Sequence, residues 1–263
     1  MHTKLFGRKI NLNNIESSLL LIDSFFKKNG IDYWLEAGTA LSAYRDGKVF
    51  EWEHDVDIGI WREKMPSPDQ FINFFSSKGY KVIIQKDFPF LDNIIQLKVD
   101  SECNNELFDV DIYLYTRMEG FAYMRWIQKP EGSYNLLKKR LIFILRNLYN
   151  PNTKKWVRIS RLIPTKMIRF FFDKYLHFYL STSTCIYHRF PEKYFLNLKK
   201  IDFYGISVNI PEDTNEFLIH RYGEHWKTPD SQFNQSGKWK KSKARVELRM
   251  NLLPSPEYYN QQR

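Results

Sequence analysis

The apolar positions in the first 117 residues follow two different spacings. Residues 13–29 have the spacing that lines one face of a helix, at Ile15, Leu19, Ile22 and Phe26. Gly30 follows, at a place where helices commonly end. A second helix is predicted at residues 68–78, and a short one at 40–44. The remaining apolar segments are too short for helices.

Those segments alternate between apolar and polar side chains, as half-buried strands do. The two best examples are residues 56–61 and 108–115, and shorter strands are predicted at 33–35, 80–85 and 94–99. Each of the two long strands carries aspartates on its polar face: Asp55 and Asp57 on the first, Asp109 and Asp111 on the second. The pattern predicts an α+β fold, with a mixed sheet and flanking helices.

The composition changes after about residue 117. Residues 136–176 contain eleven lysines and arginines against one acid, a net charge of +10, which equals the net charge of the whole chain. We therefore expect three parts: a catalytic core at 1–117, a basic and mostly helical insertion at 118–195, and a C-terminal segment at 196–263 that completes the catalytic domain. The basic helical lobe is the part most different from the rest.

Composition also restricts the class of protein. The chain has 263 residues, 43% of them hydrophobic, which suits a folded protein with a sizeable core. Its two cysteines, Cys103 and Cys185, have no paired spacing and favour reduced thiols. No signal-type apolar stretch follows Met1, and no run approaches the roughly 20 apolar residues of a spanning helix. We expect a cytoplasmic protein that is not integral to a membrane.

The aspartates are the strongest candidate chemistry. Carboxylates two positions apart on a strand point to the same side, and Mg²⁺ prefers oxygen ligands. Asp55 and Asp57 meet this geometry, and Asp111 can complete the site by binding a metal ion and accepting a proton from an attacking hydroxyl. Asp109 is the reserve candidate. Two divalent ions, Mg²⁺ or Mn²⁺, would neutralise a moving phosphoryl group and activate the attacking oxygen.

A glycine and a small hydroxyl residue precede these aspartates. Gly38 would let a phosphate approach the backbone closely, and Thr39 offers a hydroxyl. Each signal alone is more often structural, but their order along the chain favours phosphoryl transfer. His54 lies beside the aspartates and is more plausible as a flanking residue than as a ligand.

Several of these residues also form a family signature. Residues 36–41 read Glu-Ala-Gly-Thr-Ala-Leu, Tyr44-Arg45 follows, and residues 52–59 read Trp-Glu-His-Asp-Val-Asp-Ile-Gly. Further matches are Asp111-Ile112-Tyr113, Tyr222-Gly223, Trp226 and Pro229. Together they resemble the LicD and fukutin family, and most of all its fukutin branch. The resemblance is good across 31–61 and 107–115, returns at 203–240, and is thin across 118–195.

Two departures from the family pattern leave the substrate open. Ala37 stands where a second glycine is common, and Glu53-His54 replace two aspartates. The three candidate carboxylates remain, so the expected metal binding is retained.

The resemblance implies a polymerase-β-like nucleotidyltransferase fold and a defined reaction. A phospho-substituent, such as phosphocholine or ribitol phosphate, would pass from CDP-choline, CDP-ribitol or another CDP-linked donor to a glycan hydroxyl, with release of CMP. Arg45 would contact the donor phosphates, although a surface ion pair is an equal alternative. Tyr222 and Trp226 would stack on a base or sugar, or would pack a C-terminal helix.

Other functions remain open at this point. The same carboxylates suit a nucleotidyltransferase that adds a nucleoside monophosphate to a small molecule or RNA and releases pyrophosphate. A non-catalytic nucleic-acid-binding module would use the basic segment, with strong salt dependence. A metal-dependent glycosyltransferase ranks lower, because the Gly38-Thr39 element has no clear role in it.

The basic segment mixes its cations with apolar residues. Arg158, Arg161, Lys166 and Arg169 lie among Ile159, Leu162, Ile163, Met167, Ile168 and Phe170. Such a stretch is typical of a segment that lies on an anionic membrane surface, and a lipid-linked glycan acceptor would suit that location. We expect peripheral membrane association, while nucleic acid is a less favoured partner.

Overall fold

The computed structural model describes residues 12–51, 53, 55–84, 94–99, 107–129, 135–149, 154–168, 170–171, 174–175, 184–229 and 242–249. Trp52 and His54, and the expectation placed on His54, lie outside these residues. The chain divides into two compact units, one formed by residues 1–126 and 187–246 and the other by residues 127–186 and 247–263.

The described chain contains both helices and strands. In order they are α1 (Leu12–Lys28), β1 (Tyr33–Leu35), α2 (Ala37–Asp46), β2 (Asp55–Trp61), α3 (Pro68–Ser76), β3 (Tyr80–Ile84), β4 (Ile94–Val99), β5 (Asp109–Met118), β6 (Phe121–Lys129), α4 (Asn135–Tyr149), α5 (Lys154–Ser160), β7 (Thr184–Pro191), α6 (Lys193–Leu196), β8 (Leu198–Phe203), β9 (Ile206–Pro211), α7 (Thr214–Tyr222) and β10 (Arg245–Arg249).

The strands of the first unit form a mixed sheet, as the sequence predicts. β2 lies between β1, which is antiparallel to it, and β5, which is parallel to it. β4 pairs antiparallel with β5 and carries β3 on its other edge. β6 continues from β5 through a hairpin at Glu119 and Gly120, both with positive φ, and β7 and β10 follow it in the sheet. β8 and β9 form a separate hairpin.

The predicted periodicities match the packing. The four apolar positions of α1 at Ile15, Leu19, Ile22 and Phe26 are fully buried. Phe25, next to them, contacts the rings of Phe71 and Phe75 on α3. Each such ring contributes about 2 kcal/mol by leaving water. The apolar face of α1 therefore explains why this helix packs into the core of the first unit.

Two segments differ from the sequence prediction. The helix predicted at 40–44 begins earlier, because the carbonyl of Glu36 accepts the N–H of Ala40 and closes the first turn of α2. Residues 118–195, predicted to be mostly helical, contain α4 and α5 but also the strands β6 and β7. β6 pairs with β5, its neighbour along the chain, whereas β7 and β10, which follow β6 in the sheet, lie far from it in sequence.

The described part of the second unit is mainly helical, and its strand residues are the ends of β6, β7 and β10. α4 contacts α5, with the Phe143 and Trp156 rings 6.2 Å apart, and further helical residues occur at 165–168, 170–171 and 174–175. In the described part of the chain, we find no helix with both the length and the apolarity needed to span a bilayer.

Candidate functional site

The parallel pairing of β2 with β5 brings the predicted aspartates together. Its register places Asp55 beside Asp109 and Asp57 beside Asp111. Paired residues on neighbouring strands, about 4.8 Å apart, point to the same face of a sheet. The opposite face of both strands is apolar and buried, at Val56, Ile58, Ile60, Val110 and Ile112. The four carboxylates therefore share the polar face of the sheet.

The charges in this cluster repel one another. The pKa of Asp57 is raised well above its ordinary value, first by burial and then by Asp55, Asp111 and Glu53, while a hydrogen bond with Tyr113 opposes the shift. A bound cation would relieve this repulsion and stabilise the ionised form. Within the residues that the structure describes, however, no three acidic, histidine or cysteine side chains are already arranged to hold a metal ion.

Two side chains on β4 hold the aspartates of β5. The Gln96 side-chain amide donates to both Asp111 carboxylate oxygens at 3.1 Å. The Lys98 ammonium lies 3.6 Å from Asp111 Oδ1 and 3.3 Å from Asp109 Oδ2. Burial alone would lower the pKa of Lys98, but Asp111, Asp109 and Asp55 raise it above its ordinary value.

Asp109 and Asp111 differ in what they bind. Asp109 Oδ1 accepts the backbone N–H of Val99 at 2.8 Å, which fastens the end of β4 to β5. Asp111 contacts the side chains of Gln96 and Lys98 and is the register partner of Asp57. The backbone contact of Asp109 therefore fastens the sheet, while Asp111 lies beside Asp57 within the carboxylate cluster.

The turn between β1 and α2 fixes the backbone of Asp57. The N–H of Glu36 donates to the Asp57 carbonyl at 2.9 Å, and the N–H of Asp57 donates to Thr39 Oγ1 at 2.8 Å. Thr39 is buried. Its hydroxyl oxygen thus positions an aspartate of the cluster, a role that differs from the phosphate contact expected from sequence.

Two glycines near the site allow close packing. A Cβ on Gly38 would lie 2.9 Å from Glu53 Oε1, so this position brings the turn against that carboxylate. A Cβ on Gly59 would lie 2.3 Å from Trp34 Nε1, because the Trp34 indole covers Gly59 from the paired strand. Gly38 therefore lies at the edge of the acidic cluster, as its place in the sequence suggests.

A buried ion pair, which sequence reasoning did not identify, lies close to this turn. Glu36 and Arg221 pair directly, and both side chains are buried. The Trp34 indole N–H donates to the other Glu36 oxygen at 3.0 Å. The separation of 185 positions between the partners concealed the pair, although an acid directly after the apolar Tyr33-Trp34-Leu35 is a usable signal.

The remaining sequence candidates occupy mainly packed positions. Arg45 pairs with both carboxylate oxygens of Asp46 at 2.8–2.9 Å and donates to the carbonyl of Trp226 at 3.4 Å. Trp226 is buried, with its ring 5.9 Å from that of Tyr44. Burial raises the pKa of Tyr222 to about 12; Arg221 opposes that shift, while Glu36 and Asp57 add to it. Tyr222 is thus near the cluster, while Arg45 and Trp226 contact each other.

These features define a mixed α/β protein with an acidic candidate active site on one face of its sheet. Residues 30–148 match the family model described as LicD/FKTN/FKRP, nucleotidyltransferase domain, which confirms the family resemblance inferred from the sequence.

Curated relatives match shorter stretches. The human protein named ribitol 5-phosphate transferase FKRP is 44% identical over 41 residues, which are 16% of this chain and 8% of that protein; the mouse protein matches equally. An uncharacterized protein of Rickettsia typhi is 38% identical over 107 residues, 41% of this chain and 30% of that protein. One from Rickettsia prowazekii is 36% identical over 61 residues, 23% of each chain. The chain thus spans less than a third of each relative.

Proposed function

We propose that this protein is a metal-dependent transferase that moves a phospho-substituent from a CDP-linked donor to a glycan hydroxyl and releases CMP. The family match and the similarity to a ribitol 5-phosphate transferase support a transferase as the class of protein. The observation that carries the finer proposal is the register that sets Asp57 beside Asp111, with Asp55 on the same face. We further propose that the mixed sheet is of the polymerase-β-like nucleotidyltransferase type.

The carboxylates fit a divalent cation in chemistry and charge. Asp55, Asp57 and Asp111 are oxygen donors on one face, and the repulsion that raises the pKa of Asp57 favours a bound cation. Mg²⁺ or Mn²⁺, when bound by these three residues, would polarise the transferred phosphorus group and neutralise its charge.

In the proposed reaction, one P–O bond forms as another breaks. The acceptor oxygen attacks the distal phosphorus of the donor, a new P–O bond forms, and the P–O bond to CMP breaks. Asp111 accepts the proton of the acceptor hydroxyl. Gln96, which donates to both Asp111 oxygens, orients that carboxylate, and Thr39 fixes the backbone of Asp57. Gly38, which lies against the Glu53 carboxylate, is the proposed backbone contact for the donor phosphates at the edge of the cluster.

Product analysis with matched variants tests this proposal. The purified chain is incubated with CDP-choline or CDP-ribitol, a glycan acceptor and Mg²⁺ or Mn²⁺, and CMP is measured. Asp111→Asn should suppress CMP formation by orders of magnitude, whereas Asp109→Asn, the same change on the same strand face, should reduce it much less. Release of pyrophosphate from a nucleoside triphosphate would instead support nucleotidyl transfer. Equal effects of the two variants would contradict the assignment of Asp111.

We also propose that the second unit binds an anionic membrane surface from the cytoplasmic side, where a lipid-linked acceptor would be presented. It exposes large apolar side chains in its helices and in the turn after α5: Leu137, Leu141, Phe143, Ile144, Leu162 (83% exposed), Met167, Phe170 and Phe171. Exposed cations lie among them, at Arg140, Lys155, Arg158, Arg161, Lys166 and Lys174. Apolar side chains that enter the acyl boundary, beside cations that meet acidic headgroups, are typical of interfacial helices.

Vesicle flotation separates this binding from simple charge attraction. Wild-type protein should float with phosphatidylserine vesicles and remain below with phosphatidylcholine vesicles. Leu162→Ser with Phe170→Ser should reduce flotation without changing net charge, and neutralising Lys155, Arg158 and Arg161 should reduce it further. Flotation that survives both sets of changes would count against the proposal.

A further inference from the structure

Lys98 is a cation in direct contact with the carboxylate cluster. The pairing of β4 with β5 fixes its position, and its ammonium reaches both Asp109 and Asp111. Its side chain is 28% exposed, so it lies at the solvent side of the cluster, from which a donor would arrive. An ammonium that shares Asp111 with a divalent cation would be repelled by it.

The two ion pairs of Lys98 are unequal. The contact to Asp109 is the shorter, 3.3 Å against 3.6 Å, and Asp109 is itself held by the N–H of Val99. The lysine side chain has a flexible four-carbon stem and three donor hydrogens, so it can keep one partner and exchange the other. Asp109 is the fixed partner, and Asp111 is the exchangeable one.

On the basis of the proposed function, we infer that Lys98 is a substrate-binding residue that releases Asp111 when metal enters and then contacts the diphosphate of the donor. In the free protein Lys98 supplies part of the positive charge that the cluster lacks. With a divalent cation bound to Asp111, the ammonium stays on Asp109 and faces the diphosphate oxygens. The residue thus competes with the metal ion but assists the donor.

This role predicts opposite effects on two affinities, which a structural role does not. If Lys98 only fastened β4 to β5, its removal would loosen Asp111 and weaken the binding of both metal and nucleotide. If it competes for Asp111, its removal tightens metal binding and weakens nucleotide binding. The sign of the change in metal affinity therefore decides between the two roles.

The experiment measures Mn²⁺ binding calorimetrically on the full chain without nucleotide, and then CDP binding at saturating Mn²⁺. Lys98→Met should bind Mn²⁺ about threefold to tenfold more tightly and CDP about tenfold more weakly, whereas Lys98→Arg should stay near the wild type. The matched control is Lys81→Met, because Lys81 is the exposed cross-strand partner of Lys98 one strand farther from Asp111, and it should change both affinities less than twofold.

Each result has a separate meaning. Lys98→Gln repeats the test with a polar side chain, and thermal melting confirms that the variants are folded. If folded Lys98→Met or Lys98→Gln binds Mn²⁺ no more tightly than the wild type does, the inferred role of Lys98 is wrong while the proposed function stands. If the wild type binds no Mn²⁺, the proposed function fails and this inference fails with it.

Discussion

The first unit contains two neighbouring regions with acidic side chains, and the two regions differ in how the acidic charge is compensated. On the polar face of the sheet, burial raises the pKa of Asp57 well above its ordinary value, and the charges of Asp55 and Asp111 raise it further. In the turn between β1 and α2, Glu36 is fully buried, but it forms an ion pair with Arg221 and accepts a hydrogen bond from the indole N–H of Trp34. The protein compensates the second region with its own groups, whereas we propose that a cation completes the first. The contrast therefore distinguishes a candidate cation-binding site from a buried ion pair that belongs to the fold.

The largest effect should come from removing charge in the first region. Asp57→Asn should reduce turnover on the order of a thousandfold, because the proposed metal site loses a ligand. The metal-free protein should nevertheless melt at an equal or higher temperature, since the raised pKa means that the ionised carboxylate opposes folding at neutral pH. CMP release and thermal melting measure the two effects.

A stability loss in metal-free Asp57→Asn would contradict the claimed difference between the two regions. It would show that Asp57 is compensated within the protein in the way that Glu36 is.

The second region should respond in the opposite manner. Arg221→Met leaves the Glu36 carboxylate buried without its cation, which should cost about 3–5 kcal/mol of unfolding free energy. Glu36→Gln combined with Arg221→Met should recover part of that loss, because no buried charge remains. Urea denaturation of the single and double variants gives the coupling energy, and additive losses would contradict a direct pair.

The carboxylate cluster could be predicted from the sequence, but the Glu36–Arg221 pair could not. Alternation along the strands predicts that Asp55, Asp57 and Asp111 share one face. A two-residue period puts them on one face of each strand, and the pairing of the strands in the sheet then aligns the faces. The α1 face was readable in the same way. Arg221 was not, because its partner lies 185 residues away, and nothing local in α7 indicates a buried cation.

Pairing partners set the remaining parts of the site. Gln96 and Lys98 reach the cluster only because β4 pairs with β5 in one register, which no single strand encodes. Thr39 was predicted to be functional for its hydroxyl, yet that oxygen accepts the N–H of Asp57. The residue types were visible in sequence, but their hydrogen-bonding partners required the fold.

The stability of the protein at several pH values tests the buried region around Glu36 and Arg221. His188 lies near Arg221, and its pKa is held well below its ordinary value by burial and by the charges of Arg221 and Arg245. The unfolded chain therefore takes up a proton below about pH 6.5 that the native chain excludes, and stability is lost as the pH falls. His188→Gln should remove up to about 1.4 kcal/mol per pH unit of this dependence.

Urea denaturation at pH 7.5, 6.5 and 5.5 measures this slope in wild type and variant. His225→Gln is the control, because His225 is exposed and should leave the slope unchanged. Parallel stability curves for the wild type and His188→Gln would show that protonation of this imidazole does not limit the buried region.

The smallest effect concerns the turn that joins the two regions. Ala37 lies between Glu36 of the buried pair and the Gly38-Thr39 element, and it has a φ of +48°, a conformation that costs a residue with a Cβ about 1 kcal/mol. Ala37→Gly should relieve that strain, but glycine also gains more entropy on unfolding, which offsets part of the gain. The net stabilisation should be a few tenths of a kcal/mol. Ala43→Gly, inside α2 on the same helix, should instead destabilise it. If both substitutions lower the melting temperature alike, the backbone of Ala37 is not strained, and the turn holds Asp57 and Glu36 without strain.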